Sequence, residues 1–415
     1  MSDIRSASVA DLAPRFRRRK YFLVRVADDR TLDIARFLRG QVALRDETRC
    51  SLLCPVRGQS LPLSAGELVL TMKLPATRWM ASSEIGLFSE QEHACLLDLA
   101  HRGIVLSEPA PDCWHDLAAG EDTLEQMHWD DLAAVFHAHS SWQGVVGGDT
   151  STEHSEEDHR ARLEALRRVR GDPPNHFVQR ADATKRVELR IPPLDDGFFN
   201  TLRARRTTRA FRTDEALSFS ALETVLYAVF GTYGIKVFAQ GIAAIKRTSP
   251  SGGALHPVEA YLLVRNVDQL ATGLYHYETG THALAQLETL TVPEARELAT
   301  MFVSGQTYFA EAHVLVIHVA RFDRNFWKYA RHRKAYKAVL MDSAHLSQTL
   351  YLTAAHLGLG AYYTAAINDS DIGRRLRLRP LREAAVGING VGLADNERNE
   401  LLFQTDPYRP VDHAS

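Results

Sequence analysis

The chain has 415 residues, 49 Lys and Arg against 51 Asp and Glu, a formal charge of −2 and 45% hydrophobic residues. That balance excludes a chain disordered throughout and nucleic-acid binding driven by bulk charge. No apolar run approaches the roughly 18 residues of a membrane helix, no apolar stretch follows the basic cluster at Arg15 to Lys20 as in a secretion signal, and four cysteines are too few for a disulfide scaffold. The expectation is a reduced, cytoplasmic protein of enzyme size, with no membrane and no nucleic acid as partner.

The composition changes once, in a charge-dense stretch from Glu153 to Arg170 followed by the helix-breaking Gly171-Asp172-Pro173-Pro174. We therefore divide the chain into an N-terminal region 1–150, a charged linker 151–192 and a C-terminal domain 193–415. In the N-terminal region, Lys20 to Val26 reads as a strand and Leu32 to Gly40 as a short amphipathic helix closed by glycine. Two further helices follow, the second opened by a Ser89/Glu92 capping box and carrying Leu96, Leu97, Leu99 and Ala100. Its exit through His101-Arg102-Gly103 into Ile104-Val105-Leu106 is how a winged helix passes into its wing, and a generic helical subdomain reads the same way. No basic recognition helix is present, so a peptide added to an exposed strand edge fits this region better than DNA.

The C-terminal region alternates helices and strands, an α+β pattern of a sheet wrapped by helices. Ser220 and Glu223 suggest the cap of a helix with apolar positions at Leu222, Val225, Leu226, Val229 and Phe230, stopped by Gly231. Glu259 to Arg265, His313 to Ala320, Ala361 to Ile367 and Ala384 to Gly392 read as strands, and a long helix runs from about Ala335 to Leu357.

Three constellations have the composition of a site. Arg203 to Arg209 packs four arginines and two threonines into seven residues. Guanidinium forks and hydroxyls suit phosphate, and amides entering a helix would complete an anion site; a solvated basic turn has the same composition. Arg247 to Pro257 (RTSPSGGALHP) is a Gly/Pro loop that lets backbone approach a flat ligand, yet it is neither a dinucleotide fingerprint nor a Walker loop. Around Lys328 and Tyr329 cluster Arg324, Arg331, Arg333, Lys334 and Lys337. Such positive charge disfavours a protonated lysine and favours a tyrosinate, which would make either group a proton acceptor; a surface charge cluster before a helix has the same composition. Asp342, His345 and Thr349 share one face of the following helix. Cys50 and Cys54 have no second pair to complete a zinc site, and His137 and His139 point to different helix faces.

Taken in order, RRTTRAF (Arg205 to Phe211), SPSGGALHP (Ser249 to Pro257), GLYHY (Gly273 to Tyr277), the segment Trp327 to Leu352 and LGLGAYY (Leu357 to Tyr363) resemble the nitroreductase-type flavin enzymes. More closely they resemble the SagB-type dehydrogenases of peptide natural-product maturation. The resemblance covers about half the chain. It implies a nitroreductase-like α+β fold holding FMN at a homodimer interface, behind a winged-helix-like N-terminal domain. Arg205, Arg206, Thr207 and Arg209 would hold the phosphate, ribityl chain and ring edge; Ser251, Gly252 and Gly253 would line the isoalloxazine. His345 and Gln348 would stand near the flavin, Ala365 and Ala366 would offer backbone amides to it, and Arg398 would be a further phosphate ligand. Where classical nitroreductases have an asparagine in the Pro-Ser loop, this chain has Ala254, a departure that fits the SagB-type branch. In the azoline oxidases of that branch an adjacent Lys-Tyr pair is catalytic, and Lys328-Tyr329 matches it. The implied activity is FMN-dependent oxidation of azolines to azoles in a precursor peptide, alongside a cyclodehydratase or other maturation enzyme. The alternatives are an NAD(P)H-dependent nitro or quinone reductase and another oxidation of a peptide backbone or side chain.

Overall fold

The structure, a computed structural model, describes residues 14–32, 44–81, 84, 89–147, 156–174, 182–187, 189–190 and 196–398. They fall into two units: one drawn from 1–141 together with 326–336, the other from 142–325 together with 337–415. No helix among the described residues is long and apolar enough to cross a membrane.

In the first unit the elements are β1 (Arg15–Arg18), β2 (Leu23–Leu32), β3 (Leu44–Cys54), β4 (Gln59–Leu63), α1 (Ala65–Met72), β5 (Met80–Ala81), α2 (Glu90–His101), β6 (Val105–Glu108), α3 (Leu117–Gln126) and α4 (Asp131–Ser140). Antiparallel pairing makes two three-stranded sheets, β5-β1-β6 and β2-β3-β4. The Ser89/Glu92 capping box forms as the spacing predicts, and Ser64 with Glu67 makes a second. Leu96, Leu99 and Ala100 of α2 are buried with Phe16, Leu52 and Leu70, whereas Leu97 is partly exposed. Beyond Leu32, the short helix expected to end at Gly40 lies outside the described residues.

The N-terminal basic cluster is largely interior. Arg17 and Arg19 are buried with Glu121 of α3: Arg19 Nε donates to Glu121 Oε1 at 2.6 Å, and Arg17 Nη1 to Oε2 at 3.3 Å. Arg19 Nη1 also donates to the Gly103 carbonyl at 2.9 Å, and the Lys20 amide to Glu121 at 3.1 Å. A buried charge survives only when paired and hydrogen-bonded. One acid far along the chain thus turns a run that reads as surface charge into an internal tie.

The second unit carries α5 (Glu156–Arg170), α6 (Gly197–Ala204), α7 (Phe219–Phe230), β7 (Gly234–Ala239), β8 (Ile242–Lys246), β9 (Val258–Val264), β10 (Gly273–Glu278), β11 (Ala283–Thr289), α8 (Val292–Phe302), α9 (Thr307–Ala310) and β12 (Val314–Arg321). After α10 (Phe322–Lys328) come α11 (Arg333–His356), β13 (Gly360–Thr364), α12 (Asp369–Arg375) and β14 (Glu383–Gly392); the ends of α10 and α11 that face each other in sequence belong to the first unit. Six strands pair antiparallel in the order β11-β10-β9-β12-β14-β13. β12 is buried along all but its last residue, which explains its unbroken apolar run. On its neighbour β14, a Cβ at Gly390 would lie 1.9 Å from the Tyr362 ring and one at Gly387 2.1 Å from the Tyr363 hydroxyl. These two glycines therefore set how closely the β13 tyrosines lie on the sheet.

The predicted apolar face of α7 is buried at all five positions, and the helix stops at Gly231. Its cap differs from expectation: Ser218, not Ser220, accepts the Ala221 amide at 3.3 Å. The third helical residue is then Ala221, so no capping box forms. The β7–β8 hairpin and α8 were not read from the sequence, although Thr291 and Glu294 form a capping box with a proline in the first turn of α8. Truncating Ile317 of β12 to Ala should cost about 2–5 kcal/mol in denaturant unfolding, because the site is fully buried and cannot collapse. A loss below about 1 kcal/mol would show that this strand does not anchor the core.

Candidate functional site

The Gly/Pro loop is seated on one face of α11. Ser251 Oγ donates to Asp342 Oδ2 at 2.5 Å, and the Gly252 amide donates to Asp342 Oδ1 at 3.2 Å. One turn and two turns further on, Ser249 Oγ meets the His345 carbonyl at 3.3 Å and Thr349 Oγ1 at 2.6 Å. The face bearing Asp342, His345 and Thr349 is thus a dock for the loop, with the His345 backbone rather than its exposed side chain taking part. Burial pushes the Asp342 carboxyl up, and the bonds from Ser251 and Gly252 pull against it.

The loop itself is bent into left-handed backbone. Gly253 has φ 66°, Ala254 φ 56° and His256 φ 44°. Non-glycine residues there are costly, about 1–3 kcal/mol each, and persist only where surrounding bonds overdetermine them. Here the His256 amide donates to Ser251 Oγ at 2.9 Å, so one hydroxyl closes the bend and ties it to Asp342. A Cβ added at Gly252 would meet only the Ala338 Cβ, at 3.6 Å. The backbone is therefore approachable at that residue.

The arginine segment follows α6 rather than entering a helix. Arg205 is the C-cap, its amide bonded to the Thr201 carbonyl at 3.2 Å, and the Thr208 amide donates to the Ala361 carbonyl at 2.8 Å. Helix amides are thus not available, which corrects that part of the anion-site expectation; any anion would be held by side chains. Arg205 lies 5.4 Å over the Tyr351 ring, and Thr207 Oγ1 is 3.2 Å from the Tyr351 hydroxyl. Arg206 donates to Asn396. Among the described residues neither Arg205 nor Arg206 forms an ion pair. Arg209 is half-buried in the same segment. Tyr351 is the partner that sequence reading missed; its only signal is its place on α11, two residues after Thr349.

Other expected residues fare differently. His345 and Gln348 are exposed on α11. The Ala366 amide already donates to Thr364 Oγ1 at 3.1 Å and its carbonyl accepts from Gln306 at 2.9 Å, whereas Ala365 is exposed. Arg398 is engaged by carboxylates, Glu311 at 3.3 Å and Asp395 at 3.8 Å, which leaves it a poorer phosphate ligand than Arg205 or Arg206.

Lys328 and Tyr329 belong to the first unit, on the segment 326–336. Trp129 packs edge-on against Phe326 at 4.7 Å, His137 Nδ1 meets the Tyr336 hydroxyl at 3.2 Å, and the Arg331 amide donates to the His128 carbonyl at 2.8 Å. Both ends of the segment are therefore fixed, while Lys328 is exposed with its ammonium 5.5 Å from the Tyr329 ring. The surrounding cations are partly neutralised: Arg331 pairs with Glu125, and Arg333 with Asp130 at 3.1 Å. The uncompensated positive field expected from the sequence is reduced by acids of α3 and of the loop before α4. Burial holds His137 neutral, at about 4, in keeping with a structural role.

The donor set fits a flavin mononucleotide. Two guanidiniums without an ion pair among the described residues and a hydroxyl suit the phosphate, and an approachable glycine backbone suits a flat ring. Asp342→Ala should strand the Gly252 amide and Ser251 hydroxyl and cost about 1–3 kcal/mol in thermal or urea unfolding, with Asp342→Asn recovering part of the loss. Equal stability of Asp342→Ala and the parent would mean the loop does not depend on this carboxylate.

A profile of the nitroreductase family matches residues 202–393. A Methanocaldococcus jannaschii protein named as a nitroreductase is 28% identical over 204 residues, 48% of this chain and 96% of its own. The trifolitoxin-processing protein TfxB of Rhizobium leguminosarum bv. trifolii is 28% identical over 239 residues, covering 54% of this chain and 61% of that protein. The microcin B17-processing protein McbC of Escherichia coli is 29% identical over 140 residues, covering 32% and 50%. The chain thus spans less than two thirds of the length of these two processing proteins. Among solved structures, a chain of the E. coli microcin synthetase McbBCD complex with truncated pro-MccB17 bound aligns over 66% of this chain and 98% of its own, at 20% identity and a TM-score of 0.48. The antiparallel sheet flanked by helices, the glycine loop docked on α11 and the arginine segment before it together form a nitroreductase-family domain, of α+β fold, in the C-terminal part of this chain.

Proposed function

We propose that the chain is an FMN-dependent dehydrogenase that acts on a ribosomally made peptide and oxidises thiazoline or oxazoline rings to the aromatic azoles. The observation that carries the reading is the pair Arg205 and Arg206, charged and free of ion pairs among the described residues, inside a nitroreductase-family domain. The matches to two peptide-processing proteins support the substrate class.

In this reading Arg205, Arg206, Thr207 and Arg209 hold the phosphate and ribityl chain of FMN. Ser251, Gly252 and Gly253 line its ring, with Ala365 beside it, and Arg398 plays a lesser part. His345 and Gln348, exposed on α11, face the flavin across a homodimer. When bound, FMN supplies a two-electron acceptor, and the protein supplies position and a base. Lys328 or Tyr329 takes the proton α to the peptide carbonyl; each is a base only in its deprotonated form. The clamped ends of segment 326–336 hold that pair in a fixed attitude, which is what an oriented proton transfer needs. The N-terminal unit, winged-helix-like, recognises the precursor peptide, and a cyclodehydratase supplies the azoline. The reaction takes place in the cytoplasm.

Lys328→Ala should keep FMN and lose azoline oxidation by about 100-fold or more; an unchanged rate would remove this lysine from the chemistry. Arg205→Ala should weaken FMN retention by roughly 1.5–3 kcal/mol, read from flavin absorbance after gel filtration. Equal flavin content in variant and parent would contradict the phosphate assignment. Turnover of nitroarenes with NADPH, and none of an azoline peptide, would replace the proposed activity with that of a reductase.

A further inference from the structure

We propose that a cavity in the second unit, lined from α7, β7, β8, β9, β10, β12 and the start of α10, binds a small aromatic anion, a planar ring bearing a carboxylate or phosphate group. Its volume is about 710 Å³, and it shares no lining residue with the arginine segment or with Ser251, Gly252 and Gly253. The size suits an organic ligand, since ligand pockets run roughly 300–1,000 Å³.

The charges on its wall do not balance. Three guanidiniums line it, Arg247, Arg321 and Arg324, against one carboxylate, Glu259. That carboxylate is already taken: Arg321 Nη1 lies 2.8 Å from one oxygen and His276 Nε2 3.0 Å from the other. Burial would push the Glu259 carboxyl up, yet these two bonds hold it at about 2, so it stays charged and committed.

Arg247 is the outlier. It is 7% exposed, and its hydrogen bonds go to neutral oxygens, the Val258 carbonyl at 3.1 Å and Thr279 Oγ1 at 3.4 Å. Its Nε is buried with no partner among the described residues. Burial lowers its pKa to about 10, which still leaves a cation at neutral pH. Arg324 Nε spends its bond on the Leu255 carbonyl at 2.5 Å. A buried cation without an ion pair is costly, and an anion entering the cavity removes that cost.

Another part of the wall is aromatic. Tyr227 lies 5.0 Å from Tyr233 and 5.0 Å from His282, and the Tyr277 hydroxyl contacts His282 Nδ1 at 2.8 Å. Ring faces beside guanidiniums select a flat body carrying negative charge.

The test is calorimetric titration of the full chain with FMN present in excess, so that phosphate held by the arginine segment is not counted. The probes are benzoate, phenyl phosphate and the neutral isostere benzamide. Benzoate or phenyl phosphate should bind saturably, and benzamide about tenfold more weakly or not at all. Whichever anion binds tighter identifies the source as a carboxylate or a phosphate compound. Arg324→Gln, at a half-buried position, should keep the melting temperature and lower anion affinity about tenfold; Arg247→Met should lower it further where that variant folds. Equal binding of benzamide and benzoate, no saturation up to roughly 10 mM, or an unchanged affinity in Arg324→Gln would overturn the proposal.

Discussion

The Asp342 carboxylate is the constraint on which the candidate site rests. It receives the Ser251 hydroxyl and the Gly252 amide, and Ser251 in turn accepts the His256 amide. Three residues of a strained loop are thereby tied to one rigid helix. Without that tie, Gly253, Ala254 and His256 would have little reason to remain in left-handed backbone, where only glycine is at ease. The loop can present bare backbone to a flat ligand because α11 holds its shape for it.

Charge in this protein is allocated by burial rather than by abundance. Arg17 and Arg19 stand in an exposed-looking basic run but are internal, satisfied by Glu121. Arg331 and Arg333 surround Lys328 and Tyr329 in sequence but are paired with Glu125 and Asp130. Arg205, Arg206 and Arg247 are left without a carboxylate partner among the described residues. The sequence shows where arginines are dense; only the fold shows which of them still have charge to offer.

Much of the domain was legible. The apolar spacing of α7 placed all five of its core residues, because a 3.6-residue period has one solution for a helix against a sheet. β9, β12, β13 and β14 were readable as apolar runs, and the shared face of Asp342, His345 and Thr349 followed from helix geometry alone. The cap of α7 was misplaced by two residues because Ser218 and Ser220 offer the same hydroxyl, and the backbone entering the helix decides between them. The role of that α11 face was not legible, since its partner loop lies some ninety residues earlier. Tyr351 escaped for the same reason: an aromatic on a helix gives no sign that an arginine from another element will lie over it.

By itself the sequence determined the local periods, the turn chemistry and the residue types gathered in the Arg205–Arg209 and Ser249–Pro257 segments, because these depend on neighbours along the chain. Tertiary structure decided which charges are spent and that the Lys328–Tyr329 segment is gripped by Trp129 and His137 at its ends. It also decided that Arg247 faces a cavity with no ion pair among the described residues. Those outcomes depend on contacts between residues far apart in the chain, and a carboxylate two hundred positions away leaves no mark on the local pattern.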